Sequence, residues 1–297
     1  MNKSQLGNKI ESFTEEACSV GLQLINKHNM NYSFLGCSID DDTQKEIFKL
    51  LKSTIKHIIN ENEVVEFNPV GREDGTIEEL NISDVEGLRN IIKMRDNTNN
   101  FTRDLNDLGN INAYLLEIKM GEENLKVFRR YSKSKSLSKG MLLKVLSDQF
   151  TKINENIFQI DNIVDFIVIN DETIIVFNRY SFELITNYKD NYFDNLDLAL
   201  LEIENSNLIN NIEQFKEDCK ESTRIAKQFT KAMQESSINL ILEHINEVSD
   251  AIYEAQLPIE FMDNKFKYEN KEQLSILVAL LSDKYAKTLI GKRIRNS

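Results

Sequence analysis

Tryptophan is absent from the 297-residue chain, and glycine (10 residues) and proline (2 residues) are scarce. Glycine and proline together make up about 12% of an average protein, so this composition excludes collagen-like, proline-rich and glycine-linker architectures. The longest apolar run, residues 276–281, is far shorter than the ~20 residues of a membrane-spanning helix. The first residues lack the apolar core of a signal peptide. We therefore expect a cytoplasmic protein of packed portions with short connections and no direct membrane insertion.

Reactive and metal-binding residues are few as well. The three cysteines, Cys18, Cys37 and Cys219, are odd in number and widely separated, which indicates reduced, buried thiols. None of the three histidines stands at a metal-ligand spacing from another histidine or from a cysteine. The nucleophile motif GxSxG and the phosphate-binding motifs GxxxxGK(S/T) and GxGxxG are absent. The sequence favours a non-enzymatic function and predicts no cofactor and no bound metal.

Local patterns place strands in the first two thirds of the chain. Two β-like runs lie within residues 16–39, and the capping-box pair Thr43 and Glu46 then opens a helix with an apolar stripe. Residues 111–120 and 125–131 flank the turn GEEN, which is typical of a β-hairpin. These strands predict a sheet that includes antiparallel pairs.

The predicted fold class is α+β, with an N-terminal α/β and antiparallel-sheet portion followed by a mainly helical C-terminal portion. We divide the chain into an N-terminal α/β portion (1–100), a central β-sheet portion with a basic loop (101–189) and a helical portion (190–297). The acidic stretch 71–79 is predicted to be a loop, and residues 206–235 are predicted to form one helix.

The charge is distributed unevenly along the chain. The net charge of −12 argues against a nucleic-acid partner, because a duplex is recognised first through cationic neutralisation. However, residues 125–147 (the basic segment) hold seven basic residues and no acid, and residues 284–297 (the basic tail) hold five and none. These 37 residues carry +12 and the other 260 carry −24. Acids concentrate at 61–79 and 190–221, which can face protein partners or weaken non-specific binding to nucleic acid.

The basic segment has the composition of a phosphate-contacting loop. Its arginines and lysines supply positive charge, its serines supply hydroxyl donors, and Phe128 or Tyr131 can stack on a base. The candidate nucleic-acid-binding residues of the basic segment and the basic tail are Lys126, Arg129, Arg130, Lys133, Lys135, Lys139, Lys144, Lys292, Arg293 and Arg295. The open alternative is a solvated loop whose cations pair with acidic segments of the same chain.

A second candidate site lies on the predicted strand that carries Glu117 and Lys119. Side chains alternate across a strand, so these two residues share one face. With an upstream acid such as Asp104 or Asp107, they resemble the PD-(D/E)xK nucleases. In that family the carboxylates hold a divalent metal that activates water, and the lysine stabilises the developing charge. No Pro-Asp pair precedes the motif, and the alternative is an ion pair on an exposed strand face.

Asp165 is the single acid in the apolar run VDFIVIN, which is typical of a strand covered on both faces. A buried carboxylate requires a partner, for which Arg179 or a backbone donor is expected. We interpret Asp165 and the pair Phe182-Glu183 as structural determinants rather than as catalytic residues.

The central segment resembles the KwaB family, the soluble subunit of the Kiwa anti-phage defence system. The most specific part of this resemblance is the signature VDFIVIN…TIIVFN…SFELI, and the closing segment Leu281-Ser282-Asp283-Lys284-Tyr285 with Thr288-Leu289 is also similar. The resemblance extends over about residues 110–297. The other residues that carry it are Tyr114, then Phe128-Arg129-Arg130-Tyr131 with Lys133 and Lys135, and then Phe158.

The resemblance implies a DNA-binding effector that works with a multi-spanning membrane partner, KwaA, and self-associates as a homodimer or a higher homo-oligomer. It implies recruitment to the inner face of the cell membrane by that partner, and it implies no established catalytic residues. The first hypothesis is therefore a protein that binds phage DNA without cutting it and blocks phage replication or transcription. The alternatives are a metal-dependent nuclease that uses Glu117 and Lys119, and an acidic protein-interaction module without nucleic-acid binding.

Overall fold

A computed structural model of the chain shows two compact units. The first comprises residues 1–67 and 73–188, and the second comprises residues 68–72 and 189–297. The residues that the structure describes are 1–28, 31–96, 111–131 and 158–282, together with the backbone of strands at 143–146, 149–152, 285–287 and 294–296. The first boundary of the three predicted portions lies outside these residues, so that division stays a prediction.

The first unit is built on a mixed sheet of eight strands. The strands of this unit are β1 (Ser19–His28), β2 (Asn31–Cys37), β3 (Glu63–Glu66), β4 (Thr76–Asn81), β5 (Ala113–Met120), β6 (Glu123–Arg130), β7 (Leu143–Leu146), β8 (Gln149–Lys152), β9 (Phe166–Ile169) and β10 (Thr173–Val176). The strands lie in the order β2-β1-β5-β6-β9-β10-β4-β3, and β7 and β8 form a separate hairpin. Neighbours in the large sheet are antiparallel, except that β3 and β4 are parallel.

Helices pack on both faces of this sheet. Those described in the first unit are α1 (Lys3–Ser12), α2 (Asp41–Glu61), α3 (Glu86–Asp96) and α4 (Arg179–Thr186). Apolar residues of α1 and α2 share one core cluster with alternate residues of β1, β5, β6 and β9. On the opposite face, the ring of Phe166 in β9 meets the ring of Phe182 in α4 at 5.2 Å. Because alternate strand residues face opposite helices, both faces of the central strands are buried.

The predicted hairpin is confirmed as β5 and β6. Gly121 lies in the connecting turn with φ +61, a backbone conformation that glycine adopts without a steric penalty. Cross-strand pairs run from Ala113 opposite Arg130 to Met120 opposite Glu123. This register fixes which face each charged residue of β6 takes.

Two local predictions are wrong. Residues 76–81 form β4 rather than a loop, because the acid that suggested exposure, Glu78, is buried and paired with Arg179 of α4. Helix α2 begins three residues earlier than predicted, because the Asp40 carboxylate accepts a hydrogen bond from the Thr43 backbone N–H at 2.9 Å. Asp40 rather than Thr43 is therefore the N-cap.

The second unit is mainly helical, with short strands between its helices. Its elements are α5 (Tyr188–Asn205, which starts at the last residue of the first unit), β11 (Ile209–Asn210), α6 (Ile212–Lys220), α7 (Thr223–Gln234), α8 (Ser237–Glu243), α9 (Ile245–Ala255), β12 (Phe261–Met262), β13 (Lys265–Lys267), α10 (Leu274–Leu281), β14 (Tyr285–Lys287) and β15 (Ile294–Asn296). The predicted α+β class with a helical C-terminal portion is confirmed.

The prediction of one helix over residues 206–235 is wrong. Asn207 and Asn211 adopt left-handed backbone conformations, with φ of 56° and 61°, and the hydroxyl of Ser222 caps α7 through the Ile225 backbone N–H. The helix is consequently interrupted at residues 206–211 and again at residues 221–222, where the apolar spacing alone suggests continuity.

A buried polar pair stabilises the second unit. The Tyr268 hydroxyl donates to the Asp218 carboxylate at 2.6 Å, and the Tyr268 ring meets the Phe215 ring edge-on at 5.2 Å. The hydrogen bond from Tyr268 lowers the pKa of Asp218 below its usual value. Across the residues that the structure describes, no helix combines the length and apolarity that crossing a membrane requires.

Candidate nucleic-acid interface

Strand β6 carries the first three cationic candidates of the basic segment and sends them to different faces of the sheet. Lys126 and Arg130 alternate with Arg129, because side chains along a strand point to opposite faces in turn. Opposite β6 on the neighbouring strand, Lys126 pairs in register with Glu117, Arg129 with Tyr114 and Arg130 with Ala113. Arg129 therefore lies on the opposite face of the sheet from Lys126 and Arg130.

Lys126 lies inside an ion-pair cluster. It is only 2% exposed, and its Nζ pairs with Asp171 and lies 3.6 Å from Glu117 Oε1. Arg95 Nη2 of α3 donates to both Glu117 oxygens at 2.8 and 2.9 Å, and Lys119 Nζ lies 3.3 Å from Oε2. The Lys126 ammonium is thus engaged within the fold and is not presented to a surface ligand.

The same cluster contains the residues of the nuclease hypothesis. Glu117 and Lys119 do share one face of β5, as the alternation predicted. The Glu117 carboxylate faces cations, whereas a metal centre requires several converging acids. No group of three or more histidines, cysteines or acids capable of holding a metal occurs in the described parts of the chain. Asp104 and Asp107 lie outside those parts, so the nuclease hypothesis stays a prediction.

Arg129 connects the basic segment to a buried acid. Its Nη1 lies 3.1 Å from Asp165 Oδ2, and its Nε and Nη2 donate to Asp161 at 3.1 and 2.9 Å. The hydrogen bonds to Asp161, followed by the charge of Asp165, raise the pKa of Arg129. Asp165 is 0% exposed, and it also accepts from the Arg130 backbone N–H at 2.6 Å.

The expected partner of Asp165 is thereby corrected in part. A backbone donor is present, but the side-chain partner is Arg129, while Arg179 pairs with Glu78. The backbone of Asp165 also stabilises the fold, since its carbonyl accepts hydrogen bonds from the N–H groups of Phe177 and Asn178. These contacts agree with its interpretation as a structural residue.

An aromatic stack joins Tyr131 and Phe158, the two described residues that flank residues 132–157. Tyr131 and Phe158 lie with ring centroids 4.9 Å apart and planes at 13°, and Tyr114 meets Phe158 edge-on at 5.4 Å. Such pairs contribute about 0.5–1.5 kcal/mol each beyond their area burial. Together with the Arg129 network, this stack forms what we name the segment root: Tyr114, Arg129, Tyr131, Phe158, Asp161 and Asp165. Tyr131 and Phe158, the described residues on either side of the 26 residues 132–157, are thus held next to each other.

Arg130 turns to the opposite face and lines a cleft of ≈ 300 Å³ in the first unit. Its guanidinium carbon lies 5.2 Å from the ring centroid of Tyr180, which is 65% exposed. Lys27 and Tyr32 line the same cleft. Arg130 thus lines this cleft, whereas Lys126 and Arg129 lie in ion-pair networks.

The remaining candidates carry no described side chain. Lys133, Lys135 and Lys139 of the basic segment, and Lys292 and Arg293 of the basic tail, lie outside the described residues. Lys144 lies on β7 opposite Thr151, and Arg295 lies on β15 opposite Ala286, with only their backbone described. Their role as nucleic-acid contacts stays a prediction.

Sequence reasoning missed the acid that completes the segment root and the aromatic residue beneath Arg130. Asp161 stands four residues before Asp165, and a second acid so close to a buried one was a usable sign of a shared cation. Tyr180 had no comparable signal, because its contact with Arg130 depends on the placement of α4 against β6.

Comparison with known proteins identifies the family. The family model described as Kiwa protein KwaB-like matches residues 108–291, which is more than half of the chain and includes the segment root. Searches of curated proteins and of solved structures found no match. The chain belongs to the KwaB-like family of Kiwa proteins.

Proposed function

We propose that this chain binds phage DNA without cutting it, through Lys133, Lys135, Lys139 and Lys144 of its basic segment with help from the basic tail. Bound DNA is then withheld from phage replication or transcription. Membership of the KwaB-like family indicates a role in anti-phage defence. The DNA contact is our inference, and its support is the concentration of positive charge in a chain of net charge −12.

The segment root is the observation that carries the proposal. Arg129 is engaged with Asp161 and Asp165, and Tyr131 stacks on Phe158. A segment whose two ends are held next to each other loses less conformational freedom when it binds a ligand. An insertion rich in cations and held in this way suits sequence-independent contact with phosphates.

Fluorescence anisotropy of a labelled phage DNA duplex tests this function. The four-lysine variant replaces Lys133, Lys135, Lys139 and Lys144 with alanine, and leaves Arg129 intact because its loss would unpair a buried carboxylate. At moderate salt we expect the variant to bind the duplex at least about tenfold more weakly. Each lost phosphate contact means that fewer counterions are released from the DNA on binding, and this release is what favours binding. Incubation with Mg²⁺ should leave the DNA intact.

A matched control removes the same number of charges elsewhere. The four-charge control replaces Arg89, Lys93, Arg224 and Lys265, which lie on α3, α7 and β13, and it should bind the duplex within about threefold of the wild type. Equal affinity of the wild type and the four-lysine variant would contradict the proposal. Mg²⁺-dependent cleavage that Glu117→Ala abolishes would instead support the nuclease hypothesis.

We also propose that the acidic helical portion holds the membrane partner, which the family resemblance implies to be KwaA-like. On α5, Leu198 and Leu201 are 54% and 51% exposed, one turn apart, beside the exposed acids Asp190 and Asp194. Residues 190–221 contain nine acids and two lysines. Cytoplasmic loops of membrane proteins carry an excess of lysine and arginine, so an acidic face with exposed leucines complements such a loop.

Co-purification with the membrane partner tests this surface. The double variant Leu198→Ser and Leu201→Ser should lose the partner and keep its duplex affinity, whereas the four-lysine variant should keep the partner. Leu240→Ser provides the control, because Leu240 is a comparably exposed leucine on α8. Retention of the partner by the double variant would contradict this assignment. Cytoplasmic location and self-association accompany the proposal as expectations from the sequence.

A further inference from the structure

The cleft beside Arg130 is held open by contacts among its own walls. Lys27 Nζ donates to the Leu184 carbonyl and to Asn187 near the C-terminal end of α4, and the Tyr32 hydroxyl donates to the Ile185 carbonyl at 2.8 Å. These bonds connect β1 and β2 to α4, so that the walls belong to elements already fixed by the sheet. A volume of ≈ 300 Å³ lies at the lower end of the range for small-molecule sites.

The lining of the cleft combines positive charge with apolar surface. Lys27 and Arg130 are its charged residues, and no acid is among the residues that line it. Ile25, Ile111 and Leu184 supply apolar surface. A ligand that fits this lining has an apolar or planar body and an anionic group.

Two planar groups at the cleft favour an aromatic body. Tyr32 lines the cleft and is kept in place by the hydrogen bond from its hydroxyl to the Ile185 carbonyl. Arg130 is positioned by the Tyr180 ring at 5.2 Å, and a guanidinium both stacks on planar rings and binds phosphate through paired hydrogen bonds. The combination of stacking surface and phosphate donor suits a nucleotide.

We propose that this cleft binds one 2′-deoxynucleoside 5′-phosphate unit, with its phosphate at Arg130 and its base against Tyr32. The inference deepens the proposed function and rests on it, since Arg130 and Tyr131 immediately precede the proposed DNA-binding lysines in the chain. The unit can come from two sources, a free mononucleotide or the phosphorylated end of a DNA strand.

The full-length protein provides a convenient fluorescence assay because it contains no tryptophan. The probe is 2-aminopurine deoxyriboside 5′-monophosphate, whose emission is quenched when its base stacks on an aromatic ring. We expect saturable quenching, and about tenfold or more weaker binding of the same deoxyriboside without phosphate, because a hydrogen bond to a charged group is lost. Single strands with 2-aminopurine at a phosphorylated 5′ end or at an internal position distinguish the two sources.

Two substitutions locate the binding. Arg130→Gln and Leu184→Phe should each weaken the monophosphate about tenfold or more, the first by removing the phosphate donor and the second by filling the cleft. Arg89→Gln, which removes an exposed arginine from α3, should not change this affinity. Both cleft residues are partly or largely exposed, so the fold should tolerate the changes, and circular dichroism checks this.

The outcomes separate this inference from the proposed function. Quenching by the monophosphate or by the phosphorylated strand end, lost in both cleft variants, supports the site. Absence of quenching in every arm, or quenching unchanged in both variants, overturns it. Duplex affinity that drops in the four-lysine variant but not in Leu184→Phe shows that DNA binding stands without the cleft. Mononucleotide binding without any duplex binding overturns the proposed function but supports the nucleotide site in the cleft.

Discussion

Removing the Arg129 side chain should destabilise the first unit strongly. In Arg129→Met the Asp165 carboxylate, 0% exposed, loses its guanidinium partner and keeps the Arg130 backbone N–H. Breaking a buried ion pair by deleting one partner costs about 3–5 kcal/mol. With a urea dependence of about 1–3 kcal/mol per molar, the unfolding midpoint should fall by ~2 M.

Equilibrium urea unfolding followed by circular dichroism measures this change, and two variants calibrate it. Arg130→Met, at the next position of β6, should cost less than about 1 kcal/mol, because its guanidinium faces a partly exposed ring. Arg129→Met combined with Asp165→Asn should recover part of the loss, since no buried charge is then left unpaired. A loss below about 0.5 kcal/mol in Arg129→Met would refute the reasoning.

Further predictions concern both units. Gly87→Ala should destabilise the protein by about 1–3 kcal/mol, because an added Cβ would lie 1.8 Å from a backbone oxygen of α4. In α1, the Cβ added by Gly7→Ala would meet nothing within 4 Å, and this variant should be more stable by about 0.5–1 kcal/mol. Thermal unfolding of both variants measures the two changes. Burial raises the pKa of Cys219, so a thiol reagent should label it only on unfolding, and equal rates for all three cysteines would contradict this. The pKa of Asp218 is lowered, so its contribution is present above its usual value of 3.8 and lost as pH falls below it; Asp218→Asn should flatten this acid-side loss in a stability–pH profile.

Elements whose pattern is local could be predicted from the sequence, whereas those that depend on a distant partner could not. The hairpin β5–β6 follows from two β-like runs on either side of the turn GEEN, which begins at Gly121, so it needs no tertiary information. Strand β4 was missed because Glu78 resembles a surface acid until Arg179, 101 residues away, covers it. Likewise the break after Asn207 depends on left-handed backbone conformations that periodicity does not reveal.

The candidate site shows the same limit. The sequence indicated a concentration of cations but gave every one the same expected role. The structure separates those of β6, because Lys126 and Arg129 lie in different ion-pair networks and the one-residue step from Arg129 to Arg130 leads to a cleft on the opposite face. Faces of a strand can be assigned from alternation, but which face carries an acid such as Asp161 depends on the fold.

The salt dependence of duplex affinity tests the central claim most directly. A plot of log affinity against log salt concentration gives the number of phosphates neutralised, at about 0.9 per contact for duplex DNA. For the four-lysine variant we predict a slope smaller than that of the wild type by up to about 4, and for the four-charge control the wild-type slope. An identical slope in wild type and four-lysine variant would show that the basic segment does not contact DNA.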